Sequence, residues 1–195
     1  MKPVMPNMES TTICFRVFNG LDTLHGTVLS YSLGLNSPRG NELLFLGKDK
    51  QSDMIRLYRR KKKMEIPNDV LSATESTHFC IVLQAIEDNK VFSSIYVNGF
   101  IVDSSTEGET WDGYAVTGGG EVIIGQDQDC LLGCFNASQT FIGDLTEFAI
   151  YDTALTPDEV KDMAEDGSCG NHRPIITLEK ESTMIFGVPE FKSGK

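Results

Sequence analysis

The densest run of oxygen-bearing side chains in this sequence is Gln126-Asp127-Gln128-Asp129, followed by Asn136 and Gln139. A hard cation such as calcium takes roughly six to eight oxygen ligands from a flexible loop. Carboxylates at alternate positions with carbonyls between them suit that need. A polar turn between two strands has the same composition, and spacing alone leaves both readings open. Asn136-Ala137-Ser138 is also the one N-glycosylation sequon of the chain. A glycan on Asn136 would compete with metal ligation by the same side chain.

Catalytic chemistry finds little footing. His25, His78 and His172 are scattered, and His78 beside Phe79 and Cys80 reads as a strand histidine. The chain has no Gly-x-Ser-x-Gly elbow and no P-loop. Asp127 and Asp129 are a remote candidate pair for glycoside hydrolysis. Residues two apart in a loop rarely face each other across a substrate cleft, so no catalytic residue is assigned.

Five cysteines leave one over. Cys130 and Cys134 flank Leu131-Leu132-Gly133 inside the candidate metal-binding run. A Cys130–Cys134 bond would stiffen it, and two free thiols are the alternative. Zinc would need further Cys or His nearby, which the sequence lacks. The odd cysteine, Cys169, suggests an intermolecular bond or a partner on another segment.

The elements that must position these residues are short strands. Thr12 to Phe18, Glu42 to Leu46, Met54 to Arg60 and His78 to Ile86 have strand length and β-rich content. Asn98-Gly99, in the middle of Ser94 to Val102, marks a type I′ hairpin turn. Gly118-Gly119-Gly120 leads into a strand over Glu121 to Gly125, and Phe141 to Asp152 forms another. Thr156-Pro157-Asp158-Glu159 starts the one well-signalled helix, with an N-cap, a first-turn proline and a capping-box glutamate. It is expected to run from Pro157 to Glu165 and stop at Gly167. Ile175-Ile176 and Met184-Ile185-Phe186 offer a last strand, with Lys192 to Lys195 frayed. Regular strands separated by Gly, Asn and Asp read as a β-sandwich. Trp111 covers the sandwich edge or stacks on a sugar ring.

The chain has 195 residues and a formal net charge of −11, with a pI of about 4.7. That balance argues against nucleic acid, whose phosphates need clustered Lys and Arg. The basic run Arg59-Arg60-Lys61-Lys62-Lys63 reads as a solvated strand end or hairpin, with an anionic-ligand patch second. No stretch approaches the ~20 apolar residues of a membrane-spanning helix. Met1 to Ser10 lacks a signal-peptide layout. The chain is therefore cytoplasmic or the domain of a longer secreted or membrane protein, and the cysteines and the sequon favour the latter.

The order of motifs is specific. Gly118-Gly-Gly-Glu-Val-Ile-Ile-Gly-Gln-Asp-Gln-Asp129, Phe135-Asn-Ala-Ser-Gln139, Gly143-Asp-Leu, Tyr151-Asp152, Leu155-Thr-Pro-Asp-Glu-Val160 and Tyr96-Val97-Asn98-Gly99 together resemble the pentraxin family over roughly Thr11 to Phe191. The resemblance implies a single domain spanning 1–195. Its fold would be all-β, a two-sheet antiparallel jelly-roll sandwich of lectin-like type with one short α-helix. About twenty residues of the family's first strand are expected before Met1. The resemblance also implies a Cys14–Cys80 disulfide.

The function implied is an extracellular binding module, secreted or on an ectodomain, and not an enzyme. Its metals hold a phospho- or carbohydrate-type ligand, and homo-oligomers form. Carried over, Asp127, Gln128 (through its backbone carbonyl), Asp129 and Gln139 match calcium ligands, and Asn41 matches the asparagine of an upstream Asp-Asn pair. The aspartate of that pair is Gly40 here, and the loop's glutamate is Asn136. Four carboxylates become two, so calcium binding is expected to be weak, single-site or absent. The alternative is a calcium-independent adhesion or oligomerisation module of a larger receptor or matrix protein.

Overall fold

The computed structural model describes residues 5–18, 24–33, 41–47, 54–60, 62–67, 76–106, 110, 113–167 and 171–178. Trp111, Cys169, Gly40, Lys61, Met184-Ile185-Phe186 and Lys192 to Lys195 lie outside these residues, as does the side chain of Asn41. In chain order the strands are β1 (Ser10–Phe18), β2 (Thr27–Ser32), β3 (Asn41–Leu46), β4 (Met54–Arg59), β5 (Lys62–Pro67), β6 (Ser76–Ile86), β7 (Lys90–Val97), β8 (Phe100–Ser105), β9 (Glu121–Ile124), β10 (Asp144–Tyr151) and β11 (Ile176–Thr177). One helix, α1 (Pro157–Asp166), follows β10. The strands make two antiparallel sheets, ordered β11-β10-β1-β6-β7-β8 and β5-β4-β3-β2-β9.

Period-two alternation decides what each face buries. In β1, Ile13, Phe15 and Val17 point between the sheets. Phe15 stacks on its neighbour Phe79 of β6 at 5.5 Å, and Phe45 of β3 meets both edge-on at 5.1 and 5.5 Å. The opposite face of the same strands carries Cys14 and Cys80, directly opposite each other in register and disulfide-bonded. Helix α1 covers that face with Val160 and Met163, packed with Val82, Tyr96 and Tyr151.

Local chemistry sets the helix. Thr156 Oγ1 accepts from the Glu159 amide at 3.3 Å, and Glu159 Oε2 accepts from the Thr156 amide at 2.8 Å. Gly167 closes the helix at φ 74°. The Thr156 amide, its hydroxyl and His172 together hold the Glu159 carboxyl down at about 2. Arg16 fastens helix to sheet: its Nε pairs with Glu147 and its Nη2 donates to Ala164 O, both at 2.9 Å. The β7–β8 turn packs here too. Asn98 and Gly99 lie at φ 49° and 82°, and a Cβ on Gly99 would come within 2.9 Å of Lys161 Cα.

His78 lies buried on the helix face, 1% exposed, with Nε2 3.9 Å from Cys80 Sγ and Nδ1 unpartnered among the described residues. Burial, with Arg16 nearby, pushes its pKa down to about 4. Between about pH 6.5 and 4 the unfolded chain binds a proton that the folded chain refuses. Stability therefore falls as pH falls through that window, by about 3 kcal/mol when complete. His78→Gln is expected to flatten this part of the stability–pH curve in chemical denaturation. An unchanged slope would show that His78 does not set it.

Two strands go beyond the sequence reading. β2 is buried at all six positions and so shows no alternation. β5 is a sheet edge, where lysines are favoured because they block edge-to-edge pairing. The strand expected over Phe141 to Asp152 begins only at Asp144, because the Phe141 amide turns back to Gly125 O at 2.9 Å. The basic run does form the β4–β5 hairpin, but its first half is not solvated. Arg59 is 4% exposed and donates to Ala115 O through Nε and Nη2 at 3.2 and 3.0 Å. Burial, with Arg60 beside it, lowers its pKa to about 10. Arg60 pairs with the fully buried Glu42 at 2.7 Å. Both arginines find internal acceptors, so this first half turns inward, while Lys62 and Lys63 stay exposed.

Candidate metal centre

The loop after β9 returns across the end of β2, and buried polar side chains hold it there. Ser30 of β2 lies between Leu44 and Ile123 in the sheet. Its hydroxyl is 3.5 Å from Asp127 Oδ1 and accepts from the Gln128 amide at 3.4 Å. Gln128, 2% exposed, turns its side chain inward. Its Nε2 donates to Ser30 O and Glu121 O at 3.2 and 2.9 Å, and its Oε1 accepts from the Leu132 amide at 3.2 Å. This side chain is structural, which leaves its main-chain carbonyl as the atom a cation could use.

A second stretch, the 3-10 turn Ala137–Gln139, is drawn to the first by Gln126. Gln126 Nε2 donates to Thr140 Oγ1 at 2.6 Å and to Asn136 O at 3.1 Å. The result places Gln139 Nε2 3.3 Å from Asp127 Oδ2. Asp127 is 6% exposed. Gln139 Oε1 is buried and has no hydrogen-bond partner among the described residues. A buried carbonyl oxygen without a donor is costly, and a cation is one group that satisfies it.

The other expected residues stand differently. Asp129 is exposed beside this pair in sequence. Asn136 is exposed, and its Oδ1 accepts from both the amide and the hydroxyl of Ser138, at 3.0 and 2.9 Å. An amide oxygen has two lone pairs, so this one is engaged within its own sequon. Asn41 heads β3 opposite Ser32. Cys130 and Cys134 are bonded, Cα to Cα 5.3 Å, and close a small ring between the two stretches. No local pattern points to Ser30, which acts from 97 residues away. Gln126 stood in the oxygen-rich run, but its joining role depends on the fold.

The loop is also braced from the far side. Tyr31 Oη donates to Thr117 O at 2.7 Å and accepts from the Gly120 amide at 3.0 Å. Burial pushes its pKa up to about 12. Arg60 Nη2 reaches Thr117 Oγ1 at 3.3 Å. The segment feeding β9 is thus fixed to β2 and to the β4–β5 turn.

The Pentaxin family model matches residues 1–180. Neuronal pentraxin-2 of Cavia porcellus is 27% identical over 189 residues, covering 96% of this chain and 41% of the relative. Serum amyloid P-component of Rattus norvegicus is 28% identical over 159 residues, covering 78% and 61%. The chain thus spans less than two thirds of the length of these relatives. Among solved structures, the native heptameric SAP-like pentraxin of Limulus polyphemus superposes with a TM-score of 0.64 at 23% identity, over 84% of this chain and 73% of that one.

Proposed function

This chain belongs to the pentaxin, or pentraxin, family of ligand-binding, lectin-like proteins that are not enzymes, and from that premise we propose that it is an extracellular binding module with a reduced, single calcium site. Asp127, Asp129, the Gln128 main-chain carbonyl and Gln139 would hold the ion. Asn136 fits it poorly, because its oxygen already serves Ser138. The observation that carries the reading is the pairing of Asp127 with Gln139 at 3.3 Å beside a Gln139 Oε1 that has no partner among the described residues. A bound calcium supplies positive charge for a phosphate or saccharide oxygen. The protein's part is to hold two loop stretches at one surface point through Ser30, Gln126 and Gln128.

Family members are calcium-dependent in general and are secreted or extracellular. No helix among the described residues is long and apolar enough to cross a membrane. The exposed Asn136, with Ser138 folded onto it, suits the use of its sequon for a glycan. A second reading is calcium-independent self-association or adhesion within a larger protein. It is favoured by the edge strand β8, where Phe100 and Ile101 are 68% and 53% exposed. The Limulus relative is heptameric.

The test is the thermal unfolding midpoint in EDTA and in millimolar calcium, with light scattering on the same samples. Calcium at about 100 times Kd is expected to add roughly 2.7 kcal/mol, or about 5–10 °C, and Asp127→Asn is expected to abolish the gain. No shift in the wild type, with assembly unaffected by EDTA, would replace the calcium reading with the second.

A further inference from the structure

Cys130 and Cys134 close a five-residue ring that separates Asp127 and Asp129 from Gln139. Its setting differs from that of the other disulfide. Cys14 and Cys80 are 0% exposed beneath α1. Cys134 is exposed, Cys130 partly so, and Leu131 between them is 42% exposed. The ring also holds its backbone in an unfavourable form. Leu132 and Cys134 sit at φ 55° and 56°, in the left-handed region that residues with a Cβ avoid. Within the ring the Gly133 amide bonds to Cys130 O at 2.9 Å. Toward the sheet, the Leu132 amide donates to Gln128 Oε1 at 3.2 Å. Gln128 stands between the two aspartates, so the ring's shape and the loop's position are joined by one side chain.

We propose that Cys130–Cys134 is a reversible thiol–disulfide exchange site for dithiols, and that opening it weakens cation binding at the adjacent loop. A thiolate of the dithiol attacks the sulfur of the exposed residue Cys134. The Cys130–Cys134 bond breaks and Cys130 leaves as a thiolate. The second thiol of the reagent then attacks the mixed disulfide and expels Cys134. The reagent ends as a disulfide, having given two electrons, and two protons complete the protein thiols. With the ring open, Leu132 is free to leave its left-handed conformation, and the Leu132–Gln128 hydrogen bond goes with it. The exchange stands on accessibility alone, whereas the effect on the cation rests on the calcium reading above.

The experiment uses the full chain with Cys169 first blocked by iodoacetamide. Native protein is treated with dithiothreitol, tagged with a maleimide and mapped by mass spectrometry. Tags on Cys130 and Cys134 with none on Cys14 and Cys80 are expected, and reoxidation should remove the sites. No tags, or tags on all four together, would overturn the exchange. Calcium titration of the oxidised chain, the reduced chain and Cys130→Ser/Cys134→Ser is expected to show affinity about tenfold weaker in the last two, an ordinary strength of coupling between sites. Equal affinity in the reduced and oxidised chains overturns the coupling. A chain indifferent to calcium in every form overturns both the coupling and the calcium reading, and the tags still decide the exchange.

Discussion

Arg60→Met is expected to lower the unfolding midpoint by about 10 °C, one of the largest effects of any single substitution in this fold. Arg60 Nε and Nη2 reach Glu42 Oε1 at 2.9 and 2.7 Å, and the Glu42 side chain is only 1% exposed. Glu42 Oε2 already lacks a partner among the described residues. Without the guanidinium, the carboxylate keeps the Thr117 amide as a donor at a long 3.5 Å. Stranding a buried charge in this way typically costs about 3–5 kcal/mol. Most of that cost belongs to the orphaned carboxylate rather than to the pair. The double variant Glu42→Leu/Arg60→Met should therefore recover much of the lost stability. Thermal melts of both variants check this. A double variant as unstable as the single one would show that the pair itself, or its brace on Thr117, carries the stability.

Removing the buried disulfide is the second large effect. Cys14→Ala/Cys80→Ala is expected to cost about 4 kcal/mol, the chain-entropy value for a closed loop of this length. In a chain of this size that lowers the midpoint by about 10 °C. The native contacts change little, because Cys14 and Cys80 are already neighbours in the β1–β6 ladder. The effect acts mainly on the unfolded chain. A loss below about 1 kcal/mol would show that the unfolded chain is already compact across this loop.

Where the sequence was legible, local rules were enough. The Asn98-Gly99 turn follows from φ preference, and α1 follows from its Thr156–Glu159 cap and Gly167 stop. β2 escaped because a strand buried on both faces has no period to detect. The inward turn of Arg59 and Arg60 escaped because a run of charges does not say which acceptors the fold will bring. Those acceptors, Ala115 O and Glu42, are distant in sequence. The candidate loop shows the same division. Its oxygen-rich residues are visible as a cluster, but the meeting of Asp127 with Gln139 depends on Gln126 and Ser30, joined through strand pairing. Asn136 holds a ligand's place in the motif, but its local turn with Ser138 occupies the same oxygen.

The Cys14–Cys80 bond also has a mechanical meaning. It encloses 66 residues of sequence separation, which include all of β2, β3, β4 and β5. A chain pulled at both ends carries its tension through the sulfur bridge and bypasses this segment. Four of the five strands in the second sheet therefore cannot be drawn out by force while the bridge stands. The extension withheld is about 230 Å, at ~3.5 Å per residue. In a single-molecule stretching trace the domain would lengthen in two classes of event, a short one with the bridge intact and a long one after reduction. A module placed within a longer protein under load would thus keep its candidate site's β2 support while its flanks gave way.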